Sequence, residues 1–103
     1  MIDITNKIKT FRTAIAMAVV KVSQQATIDA IVNKTVPKGD VFEAARVAGL
    51  FAVKRTSDMI PDCHPLPVEF TAIRSVISGL EICIEVEVHT IYKTGVEVEA
   101  MHG

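Results

Sequence analysis

Cys63 and His64 stand side by side between Pro61 and Pro65, on a stretch that Pro67 stiffens further. An imidazole titrates near neutral pH, so one held beside a thiol on a constrained loop can serve as acid, base or hydrogen-bond donor. The same pair also reads as a loop histidine satisfied by backbone groups. Zinc chemistry would need Cys83 and His89 to approach in space, because no second Cys or His follows at C-x-x-C or H-x-x-x-H spacing. No metal site is expected.

Glu97 and Glu99 allow two opposed readings. If a helix opens at Gly95, the spacing Thr94-Gly95-Val96-Glu97 makes Glu97 a capping-box residue, and Glu99 points to a different face. In an extended segment the two would share a face and act as paired carboxylates. The spacing favours the cap. Lys38 precedes a helix start at Asp40, where free amides and a lysine together can hold a phosphate; Asp40 in the cap opposes an anion, and a solvated loop lysine is the simpler reading. Glu85, Glu87 and His89 alternate with apolar residues and read as a solvated strand face. Lys54 and Arg55 suit the negative end of a helix, though they could equally draw a polyphosphate toward the Cys63-His64 loop.

These residues need elements to carry them. Ala14 to Val20 is apolar on both alternating faces, which predicts a buried strand over Arg12 to Ser23 with something packed against each side. A second subunit is a candidate for one side. Gln24 to Asn33 fits a short helix, and Lys34 to Gly39 a loop. Asp40 and Glu43 begin a longer helix with Val41, Ala44, Ala45, Ala48, Phe51 and Ala52 at helical spacing, which cannot persist past Ile60 because Pro61 follows. Val68 to Ile77, a turn at Ser78-Gly79 and Leu80 to Ile91 read as a hairpin, with Leu80, Ile82, Ile84, Val86 and Val88 on its dry side.

Composition bounds the rest. With 103 residues, half of them apolar, and 11 basic against 12 acidic side chains, residues 1–103 support a single domain. No basic field is present to hold nucleic acid or an anionic membrane, so an anionic ligand must be met locally by a few Lys and Arg. No apolar stretch approaches the roughly 20 residues that span a bilayer. Two cysteines without a signal peptide or a dense cysteine framework point to a cytoplasmic protein. One Tyr, four Phe and no Trp leave little bulk for the interior, which burial against partner subunits would supplement.

Several segments carry a further signal together. Lys38-Gly39-Asp40-Val41, Ala45-Arg46-Val47-Ala48-Gly49 and Ala52-Val53-Lys54-Arg55-Thr56 occur in order. Ile60-Pro61-Asp62-Cys63-His64-Pro65-Leu66 and Lys93-Thr94-Gly95-Val96-Glu97-Val98-Glu99-Ala100 follow. With Met1-Ile2-Asp3-Ile4-Thr5, Lys7, Thr10 and Arg12, they resemble the cyclic pyranopterin monophosphate synthase family, the C protein of molybdenum cofactor biosynthesis. The resemblance covers essentially the whole chain.

It implies an α+β, ferredoxin-like fold: an antiparallel sheet with helices packed on one face, assembled as a homo-oligomer of dimers, then a hexamer built as a trimer of dimers, with active sites at subunit interfaces. The implied activity is that of a lyase, which rearranges 3′,8-cyclo-7,8-dihydroguanosine 5′-triphosphate into cyclic pyranopterin monophosphate and releases pyrophosphate. No cofactor is required by the sequence, although Mg2+ can accompany the triphosphate. By position in the motifs, Lys38, His64 and Glu97 are implied to be catalytic, and Asp62, Cys63, His64, Val98 and Glu99 to bind the substrate. Asp62 and Val98 depart from the small or apolar residue and the Met that the family usually has there. The family's last helix continues to an aspartate and then a lysine, both central to catalysis, whereas this sequence stops at Gly103. The expectation is a synthase domain lacking its C-terminal part or, alternatively, a catalytically incomplete nucleotide-binding or assembly module of the same fold.

Overall fold

A computed structural model describes residues 1–103. Its elements run β1 (Thr10–Lys21), α1 (Gln25–Val32), α2 (Val41–Lys54), α3 (Thr56–Met59), β2 (Phe70–Ser78), β3 (Glu81–Tyr92) and α4 (Glu97–His102). The sheet order is β1-β3-β2, and β3 is antiparallel to both neighbours. β1 and β2 therefore run parallel to each other, and parallel strands need a long crossover, which α1, α2 and α3 supply. β2 and β3 need only a tight turn. Gly79 sits at φ +59° and Leu80 stays at negative φ, as in a type II′ hairpin. This places Leu80 in the turn, 39 % exposed, rather than on the dry strand face. The fold is α+β and compatible with the ferredoxin-like arrangement, with its helices on one face.

Alternation on β3 sorts the sheet into two sides. Ile82, Val86, Val88 and Thr90 are buried on one side, and Val86 and Val88 join Val53 of α2, Val96 just before α4 and Ala100 of α4 in a small aliphatic core. Ala14 and Ala16 of β1 pack against this core, their short side chains allowing α4 close to the strand. The other side of β1 is not covered within the chain: Ile15, Met17 and Val19 are 59 %, 68 % and 50 % exposed. The two-sided apolar strand read from sequence thus has one side packed and one open. The molecule is long and narrow, 54 × 22 × 20 Å, with a radius of gyration of 16.2 Å against about 13 Å for a compact domain of this length.

The long helix ends earlier than the prolines require. Asp40 caps α2 by accepting the Glu43 backbone N–H at 3.1 Å, while the Glu43 side chain turns to Arg46 instead of closing the box. At the other end the Thr56 hydroxyl donates back to the Ala52 carbonyl at 3.0 Å, and His102 reaches the same oxygen from α4 at 3.0 Å. A carbonyl occupied in this way is drawn out of the helical ladder. α2 stops at Lys54, Arg55 leaves helical geometry, and α3 resumes as a single turn. No helix is long and apolar enough to cross a membrane.

β3 also fixes the proline loop. Thr90 is fully buried, and its hydroxyl donates to the Pro67 carbonyl, while the Glu69 N–H donates to His89 O at 2.8 Å. Thr90→Val keeps the shape but leaves that carbonyl unpaired, and should cost about 1–3 kcal/mol in chemical denaturation. A stability within error of wild type would show that the loop is held by other contacts.

Candidate functional site

Three segments close a cleft of about 530 Å³ at one end of the sheet. Met1, Ile2, Ile4 and Lys7 come from the segment before β1, Asp62, Cys63 and His64 from the proline loop, and Thr94, Gly95, Glu97, Val98 and Glu99 from the junction between β3 and α4. The chain thus brings together six of the seven residues singled out from sequence. Lys38 is the exception: it lies exposed in the turn before α2 and lines no part of this cleft.

The N-terminal wall is shaped by local bonds. Asp3 accepts from the Thr5 backbone N–H at 2.9 Å and its hydroxyl at 2.6 Å, which bends the chain in an Asx turn. Lys93 reaches the Thr5 carbonyl at 3.4 Å, and the Met1 amine pairs with Asp62 at 3.1 Å. His64 completes the join: its Nε2 lies 2.7 Å from the Ile2 carbonyl. A carbonyl can only accept, so Nε2 carries the hydrogen and His64 is oriented as a donor. Sequence reasoning missed Ile2, Ile4 and the cleft position of Lys7; the one signal available was their place in the family-like opening motif.

The glutamates resolve differently from the capping-box reading. α4 starts at Glu97 with Val96 before it, and no side chain caps it. Glu97 is exposed and lies over Gly95, where a Cβ would fall on the carboxylate. Glu99 is 5 % exposed, and its Oε2 has no hydrogen-bond partner. Both still line the cleft, because the helix opens only at Glu97 and residues on its first turn face the same end of the sheet. Burial raises the Glu99 carboxyl above the ordinary range; its own backbone N–H opposes this, and the charge of Glu97 adds to it.

Cys63 is likewise shifted upward, first by burial, then by the charges of Glu99 and Asp62. A thiol with a raised pKa is a poor nucleophile, and Cys63 lines the wall of the cleft. Cys83 and His89 lie on the open sheet face, where Cys83 pairs across with Val19 and His89 packs against Phe11 and Phe70. No group of three or more metal-type side chains is clustered anywhere in the chain. Donors, carboxyl groups and a single lysine around an open cleft suit proton transfer.

Two expected outcomes follow from this geometry. Glu99 has a folded-state pKa above its unfolded value, so its ionisation penalises folding above the usual carboxylate range and not below it. Glu99→Gln should therefore raise the melting temperature at about pH 8 and lose that advantage at about pH 4. An equal difference at both would contradict the assignment. Gly95→Ala should leave the melting temperature nearly unchanged, since the flexible Glu97 tip can swing aside, while ligand affinity at the cleft falls; unchanged affinity would mean that the Glu97 position is not used.

The MoaC family profile matches residues 1–103. A cyclic pyranopterin monophosphate synthase of Nitratidesulfovibrio vulgaris is 45 % identical over 98 % of this chain and 63 % of its own length. A synthase of the same name from Clostridium perfringens is 44 % identical over 100 % of the chain and 66 % of its length, and a probable one from Archaeoglobus fulgidus is 40 % identical over 100 % and 65 %. The chain spans about two thirds of the length of these relatives. With the profile matched from end to end and identity of 40 % or more to each of these three relatives, the chain belongs to the MoaC family.

Proposed function

We propose that this chain is the greater part of a molybdenum cofactor biosynthesis lyase that converts 3′,8-cyclo-7,8-dihydroguanosine 5′-triphosphate to cyclic pyranopterin monophosphate with release of pyrophosphate. The observation that carries the reading is convergence: His64 and Cys63 on one loop and Glu97 and Glu99 on a distant helix meet in one cleft, although none of these positions is needed to form the core. In this reading His64 donates from Nε2 to the substrate once its acceptor replaces the Ile2 carbonyl, and the two glutamates position the ring system and exchange protons with it. Asp62, Cys63 and Val98 shape the pocket around it.

Charge argues for a second chain in the site. A triphosphate brings several negative charges, and the cleft holds Asp62, Glu97 and Glu99 with Lys7 as its single Lys or Arg. The deficit is met in the proposal by Lys38 of a neighbouring copy, which fits a homo-oligomer of dimers arranged as a hexamer with shared sites. Mg2+ would arrive with the triphosphate, since no resident ligand cluster is present. Two free cysteines fit a cytoplasmic location.

In the full-length protein, His64→Ala and Lys38→Ala should each lower turnover by about 10²–10⁴-fold while the protein stays folded. Mixing the two variants tests the shared site: hybrid oligomers should regain roughly a quarter of wild-type turnover, because half of the mixed pairs' sites are complete. Absence of recovery would place Lys38 outside a shared site. Substrate binding by wild type without any product would favour the nucleotide-binding or assembly module instead.

A further inference from the structure

Behind the cleft lies a second, much smaller cavity, between the α2–α3 junction, the proline loop and α4. Lys54, Thr56 and Ser57 line it on one side, His64 and Pro65 on another and Glu99 on the third. Its volume is about 10 Å³, against about 530 Å³ for the cleft. A single water needs roughly 10–15 Å³ on this measure, so nothing larger can enter. His64 and Glu99 are the two residues that line both spaces.

The polar groups around the small cavity differ in how far they are already committed. The Thr56 hydroxyl is engaged with Ala52 O, Val53 O and His102. Lys54 is exposed to solvent. Glu99 is 5 % exposed, and its Oε2 has no partner within the chain. His64 gives its Nε2 hydrogen to the Ile2 carbonyl, which leaves Nδ1 of the neutral ring as a bare acceptor. Ser57 brings a hydroxyl that both donates and accepts. A carboxyl group, a ring nitrogen and a hydroxyl make three partners, the number that a buried water typically binds, and buried polar atoms without a protein partner are as a rule bonded to such waters.

We infer that this cavity binds one structural water bridging Glu99, His64 Nδ1 and the Ser57 hydroxyl, and that Ser57 is through it a positioning residue for His64. Water suits the place because it works in both directions. It donates to Nδ1 of the neutral ring and, after reorienting, accepts from Nδ1–H of the protonated ring, so Nε2 keeps its hydrogen toward the cleft in either state. The positioning role rests on the proposed function, whereas the water site does not.

A high-resolution crystal structure of the full-length protein without ligand should show one water within hydrogen-bond distance of Glu99, His64 Nδ1 and Ser57 Oγ. A dry cavity, or the Lys54 ammonium in the water's place, overturns the site. Ser57→Val replaces the hydroxyl with a methyl group and leaves the water one partner short; the isosteric Ser57→Thr keeps it. In nitrogen-15 NMR of the histidine rings, His64 Nδ1 should move from the position of a hydrogen-bonded acceptor to that of a free one in Ser57→Val and stay at the wild-type position in Ser57→Thr. Identical signals in wild type and Ser57→Val overturn the bridge. Ser57→Val should also lower kcat about ten-fold with KM within about two-fold of wild type, as loss of a bond that orients a reacting group does, and Ser57→Thr should restore it. An unchanged kcat in Ser57→Val overturns the positioning role. If wild type forms no product, the proposed function falls and that role with it, and the crystal and NMR results alone then decide the water site.

Discussion

Strand β3 has no free edge. β1 pairs with it from Thr10 to Lys21 and β2 from Phe70 to Ser78, so its backbone polar groups are used on both sides along most of its length. This double pairing makes β1 and β2 parallel and sends the intervening chain through α1, α2 and α3. It also determines where the cleft can form. Thr90, near the end of β3, ties down the proline loop through Pro67, and the chain leaving Tyr92 turns at once into α4. Loop and helix are therefore anchored to neighbouring points of one strand, and the side chains they carry meet although 30 residues and more separate them in sequence.

A second set of bonds orients α4 against the long helix. His102 binds the Ala52 carbonyl and the Thr56 hydroxyl at the point where α2 breaks into α3. The break and the docking thus meet at one carbonyl. The Ala52 carbonyl, which also accepts the Arg55 N–H at 3.2 Å, is shared between the end of α2 and α4. Glu99 lies one turn before His102 and is buried by the same docking.

Strict alternation from Ile82 to Val88, the turn glycine and the Asp40 cap were legible in the sequence because each depends on local spacing or a single backbone torsion. The proline loop and its Cys63-His64 pair were legible for the same reason. What sequence could not display was long-range: the His102 bond that ends α2 early, the Ile2 carbonyl on His64, and the N-terminal wall of the cleft. The cap at Thr94 failed because a two-residue delay in the helix start costs little in so short an element, and it left Glu97 free to fold over Gly95. Lys38 was read from its motif, and a motif holds no information about distance: in the structure Lys38 lies exposed before α2, outside the cleft.

The open side of the sheet is not uniformly greasy. Phe11, Ile15, Met17, Val19, Val76 and Ile91 expose large apolar groups, yet Arg74 crosses the middle of this surface to bind Glu85 and Glu87 at 2.6 and 2.7 Å, and His89 closes the row on Glu87 at 2.6 Å. The four tips satisfy one another within the chain, so the row is a closed polar seam: Arg74 of β2 ties two successive outward positions of β3, Glu85 and Glu87, and holds the two strands in register from the side that no helix covers.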